Sequence, residues 1–215
     1  MLLPLFAMSL AGCTEDAAST SSGPAAGPSP IPVVSAVDPS GQDRVESDQL
    51  TTSSPAPLLG SRGGGATLVQ LIDPLDEPEF YCVDVPGFGA SLDLAAALSA
   101  HTCKPGADDE LFRSGTPLPG NLQMPAYQLC MSAAAAEDAA NLFLEDCSDS
   151  PLQRFALDAE GSLRLADSML CLAIAPGAGE ATGGPSHVRR DLGLQDCETV
   201  PAQRRRWQLP GPSPS

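Results

Sequence analysis

The stretch from Tyr81 to Phe112 begins Tyr-Cys-Val-Asp, passes through a variable middle, and ends His-Thr-Cys-Lys…Glu-Leu-Phe. It consists of an apolar strand with a cysteine, a second cysteine, a short polar run and a closing aromatic residue. Looser copies of the same order run from Leu129 to Phe155 and from Leu170 to Trp207. Three copies of one unit predict a repeat architecture, so the repeat decides the fold.

The ends of the three units stay in register while their middles vary in length. The closing aromatic residue follows the second cysteine by nine, eight and ten residues in the three units. Alternating runs such as Leu163-Arg-Leu and Leu192-Gly-Leu are punctuated by Gly, Pro and Asp, which is typical of short strands and turns. The Ala-rich runs at Ala95 and Ala133 lie between the two cysteines of a unit and are interpreted as loops. The chain is therefore predicted to be all-β.

A unit of a few short strands cannot bury an apolar face by itself, so the three units must share one core. We expect that core to surround a pseudo-threefold axis. The closing aromatic residues, Phe112, Phe155 and Trp207, are predicted to be its large equivalent members because interiors pack densely.

Six of the seven cysteines lie in the repeats, two in each unit. The division favours export to an oxidising compartment, with three disulfides and one cysteine in another role. A cytosolic protein with reduced thiols is the alternative. A zinc site is disfavoured because there is no Cys-x-x-Cys or His-x-x-x-His pair. The six cysteines are Cys82, Cys103, Cys130, Cys147, Cys171 and Cys197.

The repeat resembles that of the ricin B-type lectins, which are β-trefoils with Q-x-W motifs. Gln153-Arg154-Phe155 is close to that motif, whereas Glu110-Leu111-Phe112 and the run from Gln203 to Trp207 are variants. The resemblance covers residues 66–210 and implies a β-trefoil of three repeats with one disulfide inside each. The implied pairs are Cys82–Cys103, Cys130–Cys147 and Cys171–Cys197.

The resemblance also implies where a sugar site would lie. In that family an Asp two residues after the first cysteine accepts hydrogen bonds from sugar hydroxyls, and an aromatic ring two residues before the second cysteine stacks on the sugar. The first repeat has Asp84 and His101 at these positions, with Asp109 and Glu110 where the family has Asn-Gln. We expect any carbohydrate-binding site to lie there.

The other two repeats lack this set of residues. The second repeat has Ser132, Glu145 and Leu152-Gln153 at the same places. The third repeat has Ala173, Gln195 and Arg204-Arg205. Neither keeps the acidic hydrogen-bond acceptor or the flat ring, so neither is expected to bind a sugar.

Structural explanations exist for the same residues. An Asp after a strand often caps a turn, so Asp84 has that alternative. His101 has the alternative of a partly buried ring near a disulfide, and Gln153 is expected to bond backbone within the core. Arg189-Arg190 and Arg204-Arg205-Arg206 either meet acidic glycans or phosphates or balance the acidic surface of the domain.

The N-terminus is predicted to be a lipoprotein signal peptide, residues 1–12. The apolar run that begins at Met1 is too short to span a bilayer but fits a secretion signal. It ends Leu10-Ala11-Gly12-Cys13, which resembles the bacterial lipobox and implies a lipid on Cys13. By resemblance to lipoprotein sorting, Thr14 at the next position favours the outer membrane or cell surface. An ordinary secretory signal with an incidental cysteine is the alternative.

Residues 13–65 are rich in Ser, Pro, Gly, Ala and Thr and are expected to be a disordered tether, with 211–215 as a tail. The formal charge of −16 disfavours nucleic acid and anionic lipid as partners. Apart from the lipid on Cys13, no membrane contact is expected, and the protein is expected to be a monomer.

Catalysis, cofactors and metals find little support in the sequence. His101 and His187 are the two histidines, and neither a Gly-x-Ser-x-Gly elbow nor a phosphate loop occurs. The acidic run at Asp108 lacks the alternating spacing of a calcium loop. The two resemblances therefore imply a surface-tethered, non-catalytic carbohydrate-binding lipoprotein. The rival is a trefoil scaffold or protein-interaction lipoprotein that has lost sugar binding.

Overall fold

The computed structural model describes residues 58–59, 65–183 and 187–210 of the chain. Within these residues the chain forms fourteen short strands, two 3₁₀ helices and one four-residue α-helix. The prediction of an all-β fold is confirmed. The strands are β1 (Thr67–Leu68), β2 (Gln70–Leu71), β3 (Tyr81–Asp84), β4 (Ser99–Thr102), β5 (Leu111–Ser114), β6 (Leu122–Met124), β7 (Leu129–Ala133), β8 (Leu142–Asp146), β9 (Phe155–Leu157), β10 (Leu163–Leu165), β11 (Leu170–Ile174), β12 (Glu180–Ala181), β13 (Val188–Asp196) and β14 (Trp207–Gln208). The 3₁₀ helices are Gly89–Ser91 and Pro151–Gln153, and α1 is Ala202–Arg205.

The same antiparallel strand pairs recur in each third of the domain. Within the repeats the runs β2–β3–β4, β6–β7–β8 and β10–β11–β13 are each joined side by side. The last strand of each repeat then pairs with the first strand of the next, as β5–β6, β9–β10 and β14–β2. Because the third of these junctions returns to the first repeat, the pairing is cyclic. This is the β-trefoil with pseudo-threefold symmetry that the repeats predict.

The three closing aromatic residues lie in one hydrophobic core, as predicted. Phe112 and Phe155 have no exposed area, and Trp207 is 1% exposed. The indole Nε1 of Trp207 donates a hydrogen bond of 2.8 Å to the carbonyl oxygen of Leu172, so its polar atom is satisfied inside the core. Equivalent positions in the three repeats thus fill equivalent positions around the axis.

The three disulfides join the cysteines within each repeat, as the resemblance implies. Cys82 bonds Cys103, Cys130 bonds Cys147, and Cys171 bonds Cys197. The bonded residues are 21, 17 and 26 positions apart. Loops of this size contribute about 3 kcal/mol each in the chain-entropy account of disulfides.

One strand breaks the threefold symmetry, and it matters for the site. β13 has nine residues, whereas its equivalents β4 and β8 have four and five. The C-terminal part of β13 pairs with β11, and its N-terminal part lies between β12 and β4, with Arg189 opposite His101. The β12–β13 hairpin of the third repeat therefore extends along the edge of the first repeat.

Two residues of the segment expected to be a disordered linker differ from that expectation. Leu59 is only 5% exposed, and its backbone N–H donates to the carbonyl oxygen of Phe155 at 3.1 Å. Leu58 forms a bridge to Ala156. The Ser/Pro-rich composition hides this Leu-Leu pair, of which Leu59 belongs to the hydrophobic core. The predicted signal peptide, its Cys13 and the predicted tail at 211–215 lie outside the described residues.

Among the residues that the structure describes, no helix has the length and apolar character needed to cross a membrane.

Candidate functional site

A cleft of about 500 Å³ lies where the first repeat meets the β12–β13 hairpin. Two of the predicted sugar-binding residues, Asp84 and His101, line it. The first repeat also contributes the turn 86–88 and Lys104, and the third repeat contributes Thr182, His187 and Arg189. The site is thus assembled from two repeats.

A tight turn after β3 presents an exposed aromatic ring at this cleft. Gly87 has a φ of +110°, and a Cβ at this position would overlap the carbonyl oxygen of Ser91. Only glycine fits this backbone without strain. The next residue, Phe88, is 86% exposed, the most of any large apolar side chain among the described residues. An exposed ring beside a cleft is a suitable surface for stacking on the apolar face of a ligand.

Asp84 is buried at the end of β3 and is paired with a lysine. Its side chain is 3% exposed, and its Oδ1 accepts a hydrogen bond of 2.8 Å from Nζ of Lys104. The same ammonium group donates to Oδ2 of Asp109 at 2.6 Å and lies 3.7 Å from Oε1 of Glu110. Lys104 therefore joins three of the four predicted residues in one ionic cluster.

The cluster has more negative than positive groups, which changes how its members titrate. Burial raises the pKa of Asp84 to about 7 and that of Glu110 to about 8, although Lys104 opposes both shifts. Burial lowers the pKa of Lys104, but its bonds to Asp109 and Asp84 outweigh this and raise it above its usual value. The ammonium group stays charged, and the acid that takes up a proton near neutral pH is Glu110, because a buried carboxylate without enough donors is costly.

Glu110 occupies the place of the motif glutamine, and Gln153 in the second repeat shows what that place requires. Oε1 of Gln153 accepts from the backbone N–H of Ser148 at 2.8 Å, and its Nε2 donates to the carbonyl oxygen of Asp146 at 3.0 Å. Oε2 of Glu110 accepts the equivalent bond, from the backbone N–H of Lys104 at 2.6 Å. Its Oε1 is buried without a hydrogen-bond donor among the described residues.

The burial of Glu110 limits what it can contact. Its side chain has no exposed area, and it does not line the cleft. Asp109 is 13% exposed and likewise lies outside the lining, joined to the cleft through Lys104. Both residues are placed to hold Lys104.

His101 lines the cleft but offers little of its ring. It is 8% exposed, and its ring meets that of His187 edge-on, with centroids 5.4 Å apart. Its Nδ1 lies 3.0 Å from the carbonyl oxygen of Thr102, which can only accept, so Nδ1 carries the hydrogen. Nε2 is then the acceptor for the hydroxyl of Thr182 at 3.0 Å. Burial lowers the pKa of His101, which keeps the ring neutral at neutral pH.

The two arginines at the start of β13 have different surroundings. Arg190 is 8% exposed and donates to Asp76 at 2.6 Å, to Tyr81 Oη at 3.2 Å and to a backbone carbonyl oxygen. Arg189 lines the cleft, is 40% exposed, and forms a long ion pair of 3.4 Å with Glu180, which is 76% exposed. Arg190 is therefore a structural residue, whereas Arg189 is accessible.

The equivalent positions of the other repeats show no comparable acceptor. Ser132 is 2% exposed and donates to the neighbouring carbonyl oxygen of Ala133, and Ala173 is fully buried. Arg205, at the motif position of the third repeat, donates to Ser162 and to the carbonyl oxygen of Val200. These side chains support the fold.

Within the described ranges, no group of His, Cys, Asp and Glu is arranged to hold a metal ion. Asp84, Asp109 and Glu110 surround the ammonium group of Lys104 instead. The ammonium group of Lys104 thus provides the positive charge among these three acids.

Sequence reasoning did not assign Lys104 or Phe88 to the site, and it considered Arg189 without placing it in the first repeat. Lys104 directly follows the second cysteine beside an acidic run, so the charge pattern held a signal for it. Phe88 follows Pro86-Gly87, which indicates a turn with an exposed tip. No local signal places Arg189 in the first repeat, because only the length of β13 brings it there.

No known family model matches the chain, and no curated protein matches it. Solved structures do match. One is a β-trefoil lectin domain of the Vibrio vulnificus hemolysin/cytolysin, described with N-acetyl-D-lactosamine bound. It has a TM-score of 0.52 and 14% identity and covers 72% of this chain and 99% of that one. The mdaA-1 domain also has a TM-score of 0.52, with 16% identity, and covers 72% of this chain and 94% of that one. At these identities the likeness shows the fold, and the chain is a β-trefoil.

Proposed function

We propose that this protein is an exported, lipid-anchored, non-catalytic carbohydrate-binding protein whose sugar site is the first-repeat cleft. The observation that carries the proposal is the pairing of an exposed ring, Phe88, with a buried acid, Asp84, in one cleft. A sugar presents an apolar C–H face and polar hydroxyl edges, so this pairing matches its two kinds of surface. The lectin described with N-acetyl-D-lactosamine bound has the same fold and supports the proposal.

The polar contacts that remain in the cleft suit hydroxyl groups. Lys104 donates two of its three ammonium hydrogens to Asp84 and Asp109, which leaves the third for a sugar oxygen. Oδ2 of Asp84 accepts a hydroxyl hydrogen while Oδ1 holds Lys104. Asp109 and Glu110 act through Lys104 by fixing its position, and Phe88 replaces His101 as the stacking ring.

The remaining parts of the proposal concern location. The three disulfides form inside the repeats and suit an oxidising compartment. A lipid on Cys13 would hold the domain at the membrane surface, with residues 14–57 as its tether. The domain acts as a monomer in this proposal, with the cleft open to glycans.

A glycan array and a panel of cell-wall polysaccharides test the proposal directly. The wild-type protein is expected to bind at least one saccharide, and Phe88→Ala is expected to lose at least about ten-fold in affinity, since one stacked ring contributes roughly 1–3 kcal/mol. Met169→Ala is the matched control, because Met169 is an exposed apolar residue, 51% exposed, in the third repeat. Equal binding by both variants would remove the cleft as the site.

A trefoil scaffold that has lost sugar binding is the second candidate function. The observation that favours it is that Asp84 is already paired with Lys104 and is almost fully buried. A chain that binds no saccharide on either panel, yet retains its fold, would support this candidate.

A further inference from the structure

We propose that the cleft selects acidic saccharides, those whose rings carry a carboxylate, and that Arg189 is the residue that recognises the acid. This inference rests on the proposed sugar site and names the class of ligand for it. It starts from the extra length of β13, which brings a cationic side chain of the third repeat to the first repeat.

Of the two cationic side chains that line the cleft, Arg189 has the weaker ion pairing. Lys104 also lines the cleft, but Asp84 and Asp109 bind it at 2.8 and 2.6 Å. Among the described residues, the guanidinium group of Arg189 pairs with Glu180, at 3.4 Å, and both side chains are solvent-exposed, at 40% and 76%. An exposed pair of this length is weak, so a ligand carboxylate can displace Glu180 at little cost.

The chemistry of the group favours a carboxylate. The guanidinium group is planar and presents parallel N–H donors that match the two oxygens of a carboxylate. Asp84 is the one acid among the described lining residues, and Lys104 neutralises it. Lys104 is thus occupied by acids, and Arg189 is the cation of the lining that remains accessible to a ligand acid.

The register places this cation beside the sugar position. Arg189 lies opposite His101 in the β13–β4 pair, and His101 lies opposite Cys82 in the β4–β3 pair. A sugar ring held between Phe88 and Asp84 would thus have its outer edge toward Arg189. Negative groups near this edge are Glu180, at the rim, and Asp109, whose carboxylate is bound to Lys104.

Two matched pairs of probes test the preference in the full chain at low salt. The pairs are an oligogalacturonate with its methyl ester, and sialyllactose with lactose. The acidic member of at least one pair is expected to bind about ten-fold more tightly, as a charge-assisted hydrogen bond would provide. Arg189→Gln should abolish that difference and keep the affinity for the neutral member, whereas Glu180→Gln should enlarge the difference.

The control is Arg113→Gln, which removes an equal charge from an exposed position on β5 outside the cleft. Its acid preference should equal that of the wild type. Binding of neutral members alone, lost in Phe88→Ala, would overturn the acid preference and leave the sugar site intact. An acid preference that survives in Arg189→Gln, or binding to no member of either pair, would overturn this proposal, and the wider glycan array then decides the proposed function separately.

Discussion

Replacing Glu110 with glutamine is expected to stabilise the protein, and by an amount that depends on pH. The carboxyl group has its pKa raised by burial from 4.5 to about 8. The folded state therefore holds the proton more tightly than the unfolded state does. The stability that comes from protonating Glu110 is fully present below about pH 4.5 and is lost as the pH rises through about 8.

The size of the expected gain in stability follows from Oε1 of Glu110, which lacks a hydrogen-bond donor among the described residues. A buried unsatisfied group of this kind costs about 1–3 kcal/mol. Gln153 shows the bonds that a glutamine makes at this place. Its Oε1 accepts from the backbone N–H of Ser148, and its Nε2 donates to the carbonyl oxygen of Asp146, two residues earlier. The equivalent carbonyl in the first repeat is that of Thr102. Glu110→Gln should therefore gain about 1–3 kcal/mol at pH 8 and close to nothing at pH 5.

Urea unfolding at pH 5, 6, 7 and 8 measures this prediction. The wild-type free energy of unfolding should fall as the pH rises over this range, by at most about 1.4 kcal/mol per pH unit for each titrating group. Glu110→Gln should flatten this slope. The remainder combines Asp84, whose pKa is raised to about 7, with His101, whose lowered pKa contributes a slope of the opposite sign. Glu137→Gln is the control, because Glu137 is exposed. A variant that is less stable than wild type at pH 8, or that keeps the wild-type slope, would refute the reasoning.

Three further predictions concern other parts of the account. Lys104→Met should destabilise the domain by about 3 kcal/mol at pH 7, because it leaves buried carboxylates unpaired. Part of this loss should be recovered at pH 5, where the carboxylates take up protons. Unfolding curves that match those of the wild type would contradict the ionic cluster. Gly87→Ala should cost about 1–3 kcal/mol, since it strains the turn that presents Phe88, and should weaken saccharide binding; an unaffected affinity in calorimetry would show that the turn does not position the ring. Cys13→Ala should abolish incorporation of labelled fatty acid and release the protein from membranes; labelling that persists would contradict a lipid on Cys13.

The fold could be predicted from the sequence because its determinants are local and repeated. Each repeat has two cysteines, and its closing aromatic residue follows the second cysteine at a nearly constant spacing. The same order in three copies makes the prediction specific. Phe112, Phe155 and Trp207 are in the core for this reason. Composition averaged over the predicted linker hides the Leu58-Leu59 pair, which contacts the domain.

The candidate site could be predicted only in part. The resemblance pointed to Asp84 and His101, and both line the cleft. It could not show that Lys104 binds Asp84, because a side-chain ion pair depends on the path of the loop. Nor could it show that His101 is covered and Phe88 exposed, since burial follows from how the third-repeat hairpin lies against the first repeat. Departures from the threefold pattern, such as the long β13, are the hardest features to predict from individual sequence positions.

The central claim is that the first-repeat cleft binds a saccharide, and an NMR titration of the isotope-labelled protein tests it most directly. The probe is the saccharide that the glycan array selects. The account predicts that the largest chemical-shift changes fall on Phe88, Lys104 and Arg189. It predicts small changes at Ser132 and Ala173, the equivalent places in the other repeats. Changes centred on those repeats, with the first-repeat cleft unperturbed, would contradict it.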